Sequence, residues 1–427
     1  MKVKLGEEKL IFCAPNNEQT AQWGVYSLPK LWRLPNGKLA IYINGMIDSP
    51  DAFENVCPDI FYVSNDNGES WEISSSKEVN KNVFNGVDSP YYKLPDGQII
   101  TIREKDNRNS VNSLKWHKEF LTADKQGKCR TYLQENVPDN CFSCELFTYD
   151  PNGKLISIKP VNIDFPKREL ITQSHVKHEN VYKEIPAYFR SNLVCCPYIS
   201  SLTNLSDGTL VGVCSGQNPN VFDRCCAEVY LMESNDGGKS WKKRSTITSN
   251  SIDYPFGLVG DGAECSLAVA ENGYLYLLTR TDMSCDHTIV GGSSDAFLFV
   301  SKDNGYTWTK ERSVSDSSVT PHVITLNNNI VVIIYGRPGV HMKISYDGGK
   351  SFGSSISIIG KTLEEELSDG KSYMSAKYFD MRSYSNSFIE KLSEDSFLIV
   401  YSDMKYDNGD GAKRKATFVR KVIFTKD

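Results

Sequence analysis

The chain has 427 residues, 40% apolar, 24% charged and 11% aromatic, which excludes a disordered, collagen-like or low-complexity protein and leaves room for a large core. Lysine plus arginine total 48 against 53 aspartates plus glutamates, a formal net charge of −5, so no global positive field exists to hold nucleic acid or an anionic membrane. Any anion must be met by locally placed cations. The opening MKVKLGEEKLIFCAPNN has no apolar run of signal-peptide length, and no later segment approaches the ~18 apolar residues of a membrane span. A soluble, cytoplasmic protein, or one whose leader has been removed, is expected. The twelve cysteines include Cys141-x-x-Cys144 and the vicinal pairs Cys195–Cys196 and Cys225–Cys226. One C-x-x-C without a second at zinc-ribbon spacing reads as reduced, mostly buried thiols, so no metal and no cofactor are expected.

In chain order, the strand VKLGEEKLIFCA comes first, then KLWRLPNGKLAIYING around Gly37 and YYKLPDGQIITIRE around Gly97. A polar insertion over roughly 105–190 follows, carrying the pair His175 and His178. The pattern resumes with SLTNLSDGTLVGVCSG around Gly208, SLAVAENGYLYLLTRT around Gly273, and the looser HVITLNNNIVVIIYG and SFIEKLSEDSFLIVYSD. Each is a β-hairpin by its turn chemistry and its β-branched and aromatic flanks. Six similar hairpins imply six similar sheets in an all-β fold, with helix nearly absent outside the insertion. Four copies are followed by a second element, S-x-D-x-G-x-[ST]-[WF]: Ser64 to Trp71, Ser234 to Trp241, Ser301 to Trp308 and Ser345 to Phe352, with a degenerate fifth around Asp150. Asp bonding backbone amides, Gly at φ > 0 and an aromatic residue beneath describe a tight structural turn.

That second element resembles the Asp box of the sialidase superfamily, and it recurs in phase with the hairpins. The resemblance covers nearly the whole chain and implies one domain over 1–427, a six-bladed β-propeller with four antiparallel strands per blade, an insertion in blade two, and ring closure by the opening strand on the last blade. If each innermost strand starts at the mouth of the funnel, the glycine hairpins and Asp-box turns lie at the far end. Trp71, Trp241, Trp308 and Phe352 are then expected to be buried away from the site. Chemistry comes from residues preceding each innermost strand (Ser27, Asp88, Tyr198, Glu264, His322, Tyr384) and from those ending each second strand. The latter are Asp48 and Asp51, Arg103 and Glu104, Ser215, Arg280 with Asp282, Arg337, and Asp403.

By resemblance, Tyr384 in RSYSNSFIEKL matches the nucleophilic tyrosine, Glu264 its activating glutamate, and Asp51 the acid/base aspartate, with Asp48 beside it. Arg280 and Arg337 match two arginines of the carboxylate-binding triad, and Asp88, His322 and Tyr198 complete the candidate substrate-binding set. The family pattern breaks at Ser27, where an arginine is expected, and at Met46; Arg33 is the remaining arginine of that blade, at a strand-interior position that disfavours its reaching across. Paired guanidinium groups grip a carboxylate best, so the loss argues against an ordinary N-acetylneuraminate. The leading expectation is an exo-acting, retaining glycoside hydrolase on a terminal, acidic sugar, with carbohydrate as the only partner class. The alternatives are a polysaccharide lyase, in which Tyr384 or His322 abstracts a proton α to a uronate carboxylate, and a non-catalytic glycan-binding propeller.

Overall fold

A computed structural model describes residues 2–22, 24–47, 56–79, 90–104, 115, 117–121, 127–133, 136, 144–164, 169–178, 181–184, 199–217, 227–248, 265–280, 296–309, 312–315, 319–336, 339–362, 365 and 387–425. The first strand, β1 (Lys2–Cys13), leads into a one-turn helix, α1 (Glu18–Ala21), capped reciprocally by Asn17 and Thr20. Blade one comprises β2 (Pro29–Arg33), β3 (Leu39–Ile43), β4 (Ile60–Ser64) and β5 (Glu72–Ile73), with the short helix α2 (Ser76–Val79) behind it. Next come β6 (Tyr92–Lys93), β7 (Ile99–Glu104), β8 (Lys118–Leu121), β9 (Gly127–Leu133), β10 (Cys144–Tyr149), β11 (Leu155–Pro160), β12 (Asn162–Asp164), β13 (Glu169–His178) and β14 (Val181–Glu184). Blade two is the sheet β6-β7-β10-β11, and β8-β9-β13-β14 form a separate satellite sheet.

The expected insertion is therefore split. It falls on either side of β10 and β11, which are the third and fourth strands of blade two rather than part of the insertion. The histidine pair lies on β13, where His175 pairs with Glu184 and His178 with Val181. Among the described residues no three His, Cys, Asp or Glu side chains gather in a way that holds a metal ion, and no helix is long and apolar enough to cross a membrane.

Blade three is β15 (Ser200–Asn204), β16 (Leu210–Gln217), β17 (Ala227–Ser234) and β18 (Ser240–Thr248). It gains a fifth strand, because β12 pairs parallel to β18. Blade four is β19 (Cys265–Val269), β20 (Leu275–Thr279), β21 (Phe297–Ser301) and β22 (Arg312–Ser313). Blade five is β23 (Val319–Leu326), β24 (Ile330–Gly336), β25 (Val340–Ser345) and β26 (Ile356–Ile359). Blade six is β27 (Ser387–Ser393), β28 (Ser396–Asp407) and β29 (Lys413–Thr425), completed by β1, whose Lys2–Cys13 pair with Thr425–Ala416. The ring thus closes non-locally, as the opening strand implied.

The core lies between blades. Apolar clusters join blades six and one around Trp32 and Leu398, two and three around Trp241 and Ile100, three and four around Leu231 and Leu275, four and five around Tyr276 and Ile333, and five and six around Ile334 and Phe397. Each fully buried aliphatic side chain contributes roughly 1.5–3 kcal/mol.

The four Ser-Asp-Gly turns repeat one bond pattern. In blade one the Ser64 hydroxyl donates to Asp66 Oδ1 (2.8 Å) and accepts from Gly68 N (2.8 Å), while Asp66 also receives Ser70 N (2.9 Å) and Ser70 Oγ. The sets Ser234/Asp236/Ser240, Ser301/Asp303/Thr307 and Ser345/Asp347/Ser351 do the same. The turn at Asp150 holds the same place between third and fourth strands but is bonded like the hairpin turns, with Asp150 Oδ1 accepting from Asn152 N and Lys154 N. Every one of these five turns presses a glycine on the preceding blade: Gly68 against Leu398, Gly153 against Pro35 and Asn36, Gly238 against Ile100 and Leu146, Gly305 against Leu231, and Gly349 against Tyr276. The turns fasten blade to blade. Of the four aromatics, Trp241 is fully buried at 2% exposure, whereas Trp71, Trp308 and Phe352 are partly buried against the interblade clusters.

Candidate functional site

Strand register defines one end of the propeller as the mouth. Pro29 opposes Ile43, Ser200 opposes Val213, Cys265 opposes Thr279, Val319 opposes Gly336 and Ser387 opposes Tyr401. Each innermost strand therefore begins where its second strand ends. The hairpins and Ser-Asp-Gly turns gather at the other end, as Arg33 demonstrates by donating to both Gly37 O (2.9 Å) and Asn67 Oδ1 (3.1 Å). Arg33 also pairs with Glu390 (3.3 Å), so it sits at the far end and supplies no cation to the mouth in place of Ser27.

Of the candidate residues, Tyr384, Glu264, Asp51, Asp48, Arg337, Asp88 and Tyr198 lie outside the described residues, as does Asp282. Their sequence neighbours are described. Cys265 follows Glu264 and opens β19, Gly336 precedes Arg337 and ends β24, and Ser387, three residues after Tyr384, opens β27. Arg280 is described and half-buried, directly after Thr279 at the mouth end of β20. Arg103 stacks on the Phe147 ring at 3.6 Å, and buried Asp403 accepts from Lys405 N (2.8 Å) at an irregularity of β28. Glu104 ends β7, and Ser215 lies within β16.

His322 is fully buried, at 0% exposure. Its Nε2 is 2.7 Å from Ser387 O, and its ring meets Phe388 edge-on at 5.8 Å. The geometry turns this histidine toward blade six. It belongs to a tier of side chains linking neighbouring blades: Ser201 Oγ donates to Cys265 O (3.1 Å), Ser266 Oγ accepts from Val323 N (3.0 Å), and Ser402 Oγ donates to Ser27 O (3.2 Å).

Around Ser27 the chain is tightly knit. Ser27 is buried and its hydroxyl donates to Val25 O (3.3 Å), while Lys415 Nζ reaches the same carbonyl (2.8 Å). Tyr26, held at φ 56°, donates to Pro58 O, and burial next to Cys57 pushes its phenol up to about 12. The neck of the segment carrying Asp48 and Asp51 is closed by Val56 N and Cys57 N donating to Gly45 O, and by Gly45 N donating to Asp59 Oδ1 (3.0 Å). A Cβ on Gly45 would fall 1.9 Å from Cys57 O, so only glycine permits this approach. Met46 follows, half-buried.

Lys30 lies on β2, three residues after Ser27, and burial pushes its amine down to about 8.

Residues 199–382 match the BNR repeat-like domain. No curated protein matches the sequence. Among solved structures, a protein of unknown function from Dyadobacter fermentans DSM 18053 is similar at 16% identity and TM-score 0.55, over 99% of both chains. The α-L-arabinofuranosidase Arb93A of Fusarium graminearum is similar at 11% identity and TM-score 0.50, over 97% of this chain and 98% of that one. The NanB sialidase of Streptococcus pneumoniae is similar at 14% identity and TM-score 0.46, over 96% of this chain and 70% of that one. The described residues thus form a six-bladed β-propeller whose residues 199–382 match the BNR repeat-like domain.

Proposed function

We propose that the protein is an exo-acting, retaining glycoside hydrolase whose site lies at the mouth. The observation carrying this reading is the Cys265–Thr279 register: Glu264 precedes one end of that pair and Arg280 follows the other, so a candidate base and a candidate anion-binding cation flank one antiparallel step. In the mechanism, Tyr384 attacks the anomeric carbon while Glu264 accepts its proton, because a phenol with a pKa near 10 is a poor nucleophile without a base. Asp51 protonates the leaving oxygen, then removes a proton from the water that releases the sugar. A neutral phenol avoids the repulsion that a carboxylate nucleophile meets from an anionic ring. Arg280 and Arg337 hold an acidic substituent; Ser27 offers no guanidinium, so two arms grip where three are usual.

That same loss favours a second reading of the substrate, a neutral terminal sugar, in keeping with the arabinofuranosidase among the similar folds. The test is a panel of 4-methylumbelliferyl glycosides, including an N-acetylneuraminide and an α-L-arabinofuranoside, together with uronate-containing glycans, with products read by mass spectrometry. Release of umbelliferone with a saturated sugar supports the hydrolase. An unsaturated uronate product establishes the lyase, and retention of intact glycan establishes a binding module.

A further inference from the structure

Among the described residues, two non-glycine residues inside strands adopt positive φ: Ser201 on β15 (φ 51°) and Thr320 on β23 (φ 45°). For a β-branched side chain this is a genuine outlier, and such strain persists only where surrounding structure imposes it. Both sit at interruptions of their ladders, between Ser200 and Thr203 and between Val319 and His322. Bulges of this kind re-aim a side chain. Here both hydroxyls are aimed at the same kind of target. Ser201 Oγ donates to the carbonyl of Cys265, and Thr320 Oγ1 accepts from the amide of Ser387 at 3.2 Å. Cys265 and Ser387 are the first residues of the next blades' innermost strands. In sequence they stand one residue after Glu264 and three after Tyr384. Blade five adds a second hold, because His322 Nε2 lies 2.7 Å from Ser387 O, on the next peptide group along the strand.

We propose that Ser201, Thr320 and His322 are positioning residues that fix the starts of β19 and β27 and thereby align the base and the nucleophile. The inference rests on the hydrolase reading above. A propeller's innermost strand has no ladder partner on its axial side, so its first residues are the least restrained part of the sheet. Two strained bulges supply side-chain bonds in place of a strand, and they do so immediately before the two segments whose mutual geometry limits catalysis. Misplacement of a reacting group by about 1 Å costs up to 10²-fold in rate, which is the scale against which the bonds are to be judged.

The test compares Thr320→Val, Thr320→Ser, Ser201→Gly and Tyr384→Phe on whichever 4-methylumbelliferyl glycoside the unmodified protein cleaves. Hydrogen exchange of the peptide opening at Ser387 and thermal midpoints are measured alongside. Thr320→Val keeps the shape but removes the acceptor: kcat is expected to fall about 10–100-fold with KM within about twofold, and Ser387 amide exchange to rise. Thr320→Ser restores both. Ser201→Gly relieves the left-handed backbone, so the thermal midpoint holds or rises while kcat falls, a divergence that a purely structural role does not produce. Loss of rate in Tyr384→Phe with none in Thr320→Val or Ser201→Gly overturns the positioning proposal alone. Absence of turnover with every probe, or full activity in Tyr384→Phe, overturns the hydrolase reading and this proposal with it.

Discussion

The two ends of the propeller follow opposite rules. At the far end, four turns repeat the same serine, aspartate and glycine bonds to within about 0.1 Å between equivalent pairs such as Ser64–Asp66 and Ser345–Asp347. At the mouth, the equivalent tier differs from blade to blade: a lysine at 30, serines at 201 and 266, a buried histidine at 322. Repetition secures the ring, and the proposed chemistry lies where repetition is broken. Changes at the far end should therefore alter stability without altering rate per folded molecule, while changes at the mouth should do the reverse.

The largest expected effect is at the mouth. Tyr384→Phe and Glu264→Gln should each lower turnover by roughly 10²–10⁴-fold, the usual range for losing general-base assistance. In the proposed mechanism the two act as one unit, so the double variant should lose little more than the worse single one; additive losses in steady-state kinetics would dissolve the pairing. Next comes a pair of far-end glycines that share φ but not surroundings. At Gly305 (φ +84°) a Cβ falls 2.2 Å from Leu231 Cδ2, whereas at Gly208 (φ +86°) nothing lies within 4 Å. Gly208→Ala should cost about 1–2 kcal/mol from the backbone alone, and Gly305→Ala a further ~1–3 kcal/mol from overpacking against blade three. Equal losses in denaturant melts would refute the fastening role of these turns.

Acid should loosen the far end selectively. Hydrogen bonds from Ser70 and Thr307 hold the Asp66 and Asp303 carboxyls at about 2, below the ordinary 3.8. A depressed carboxylate contributes stability that is complete above the unfolded value and is lost as pH falls through the folded one. The thermal midpoint should thus drop between pH 4 and 2, and Asp66→Asn should flatten that slope; an unchanged slope contradicts the assignment. The smallest effect concerns Lys30. Its amine falls to about 8 from 10.5 on folding, so the unfolded chain binds more protons across that window and the group's contribution to stability rises with pH there. The difference in thermal midpoint between the unmodified protein and Lys30→Met should shift in favour of the former from pH 7 to 10, a trend absent if the amine is solvated.

The hairpins, the six-fold repeat, the ring closure by the opening strand and the Ser-Asp-Gly turns were all legible because each depends on local turn chemistry repeated in phase. The division of the insertion by β10 and β11 was not, since the turn around Asp150 lies in a polar stretch and keeps only a degenerate form of the Ser-Asp-Gly pattern that marks a third and fourth strand elsewhere. Nor was the fifth strand of blade three, because Asn162–Asp164 carries no pattern of its own and pairs only through proximity to β18. The contact of His322 with blade six was not legible either, because from sequence an imidazole before an innermost strand is indistinguishable from one that points into the neighbouring blade.

The central claim is a tyrosine nucleophile at the mouth, and an acid-quenched peptide map taken during turnover of a cleaved aryl glycoside tests it most directly. The account predicts that the peptide containing Tyr384 gains the mass of one dehydrated sugar residue, and that Glu264→Gln slows its appearance. A sugar adduct on any other residue, or full turnover by Tyr384→Phe, would contradict it.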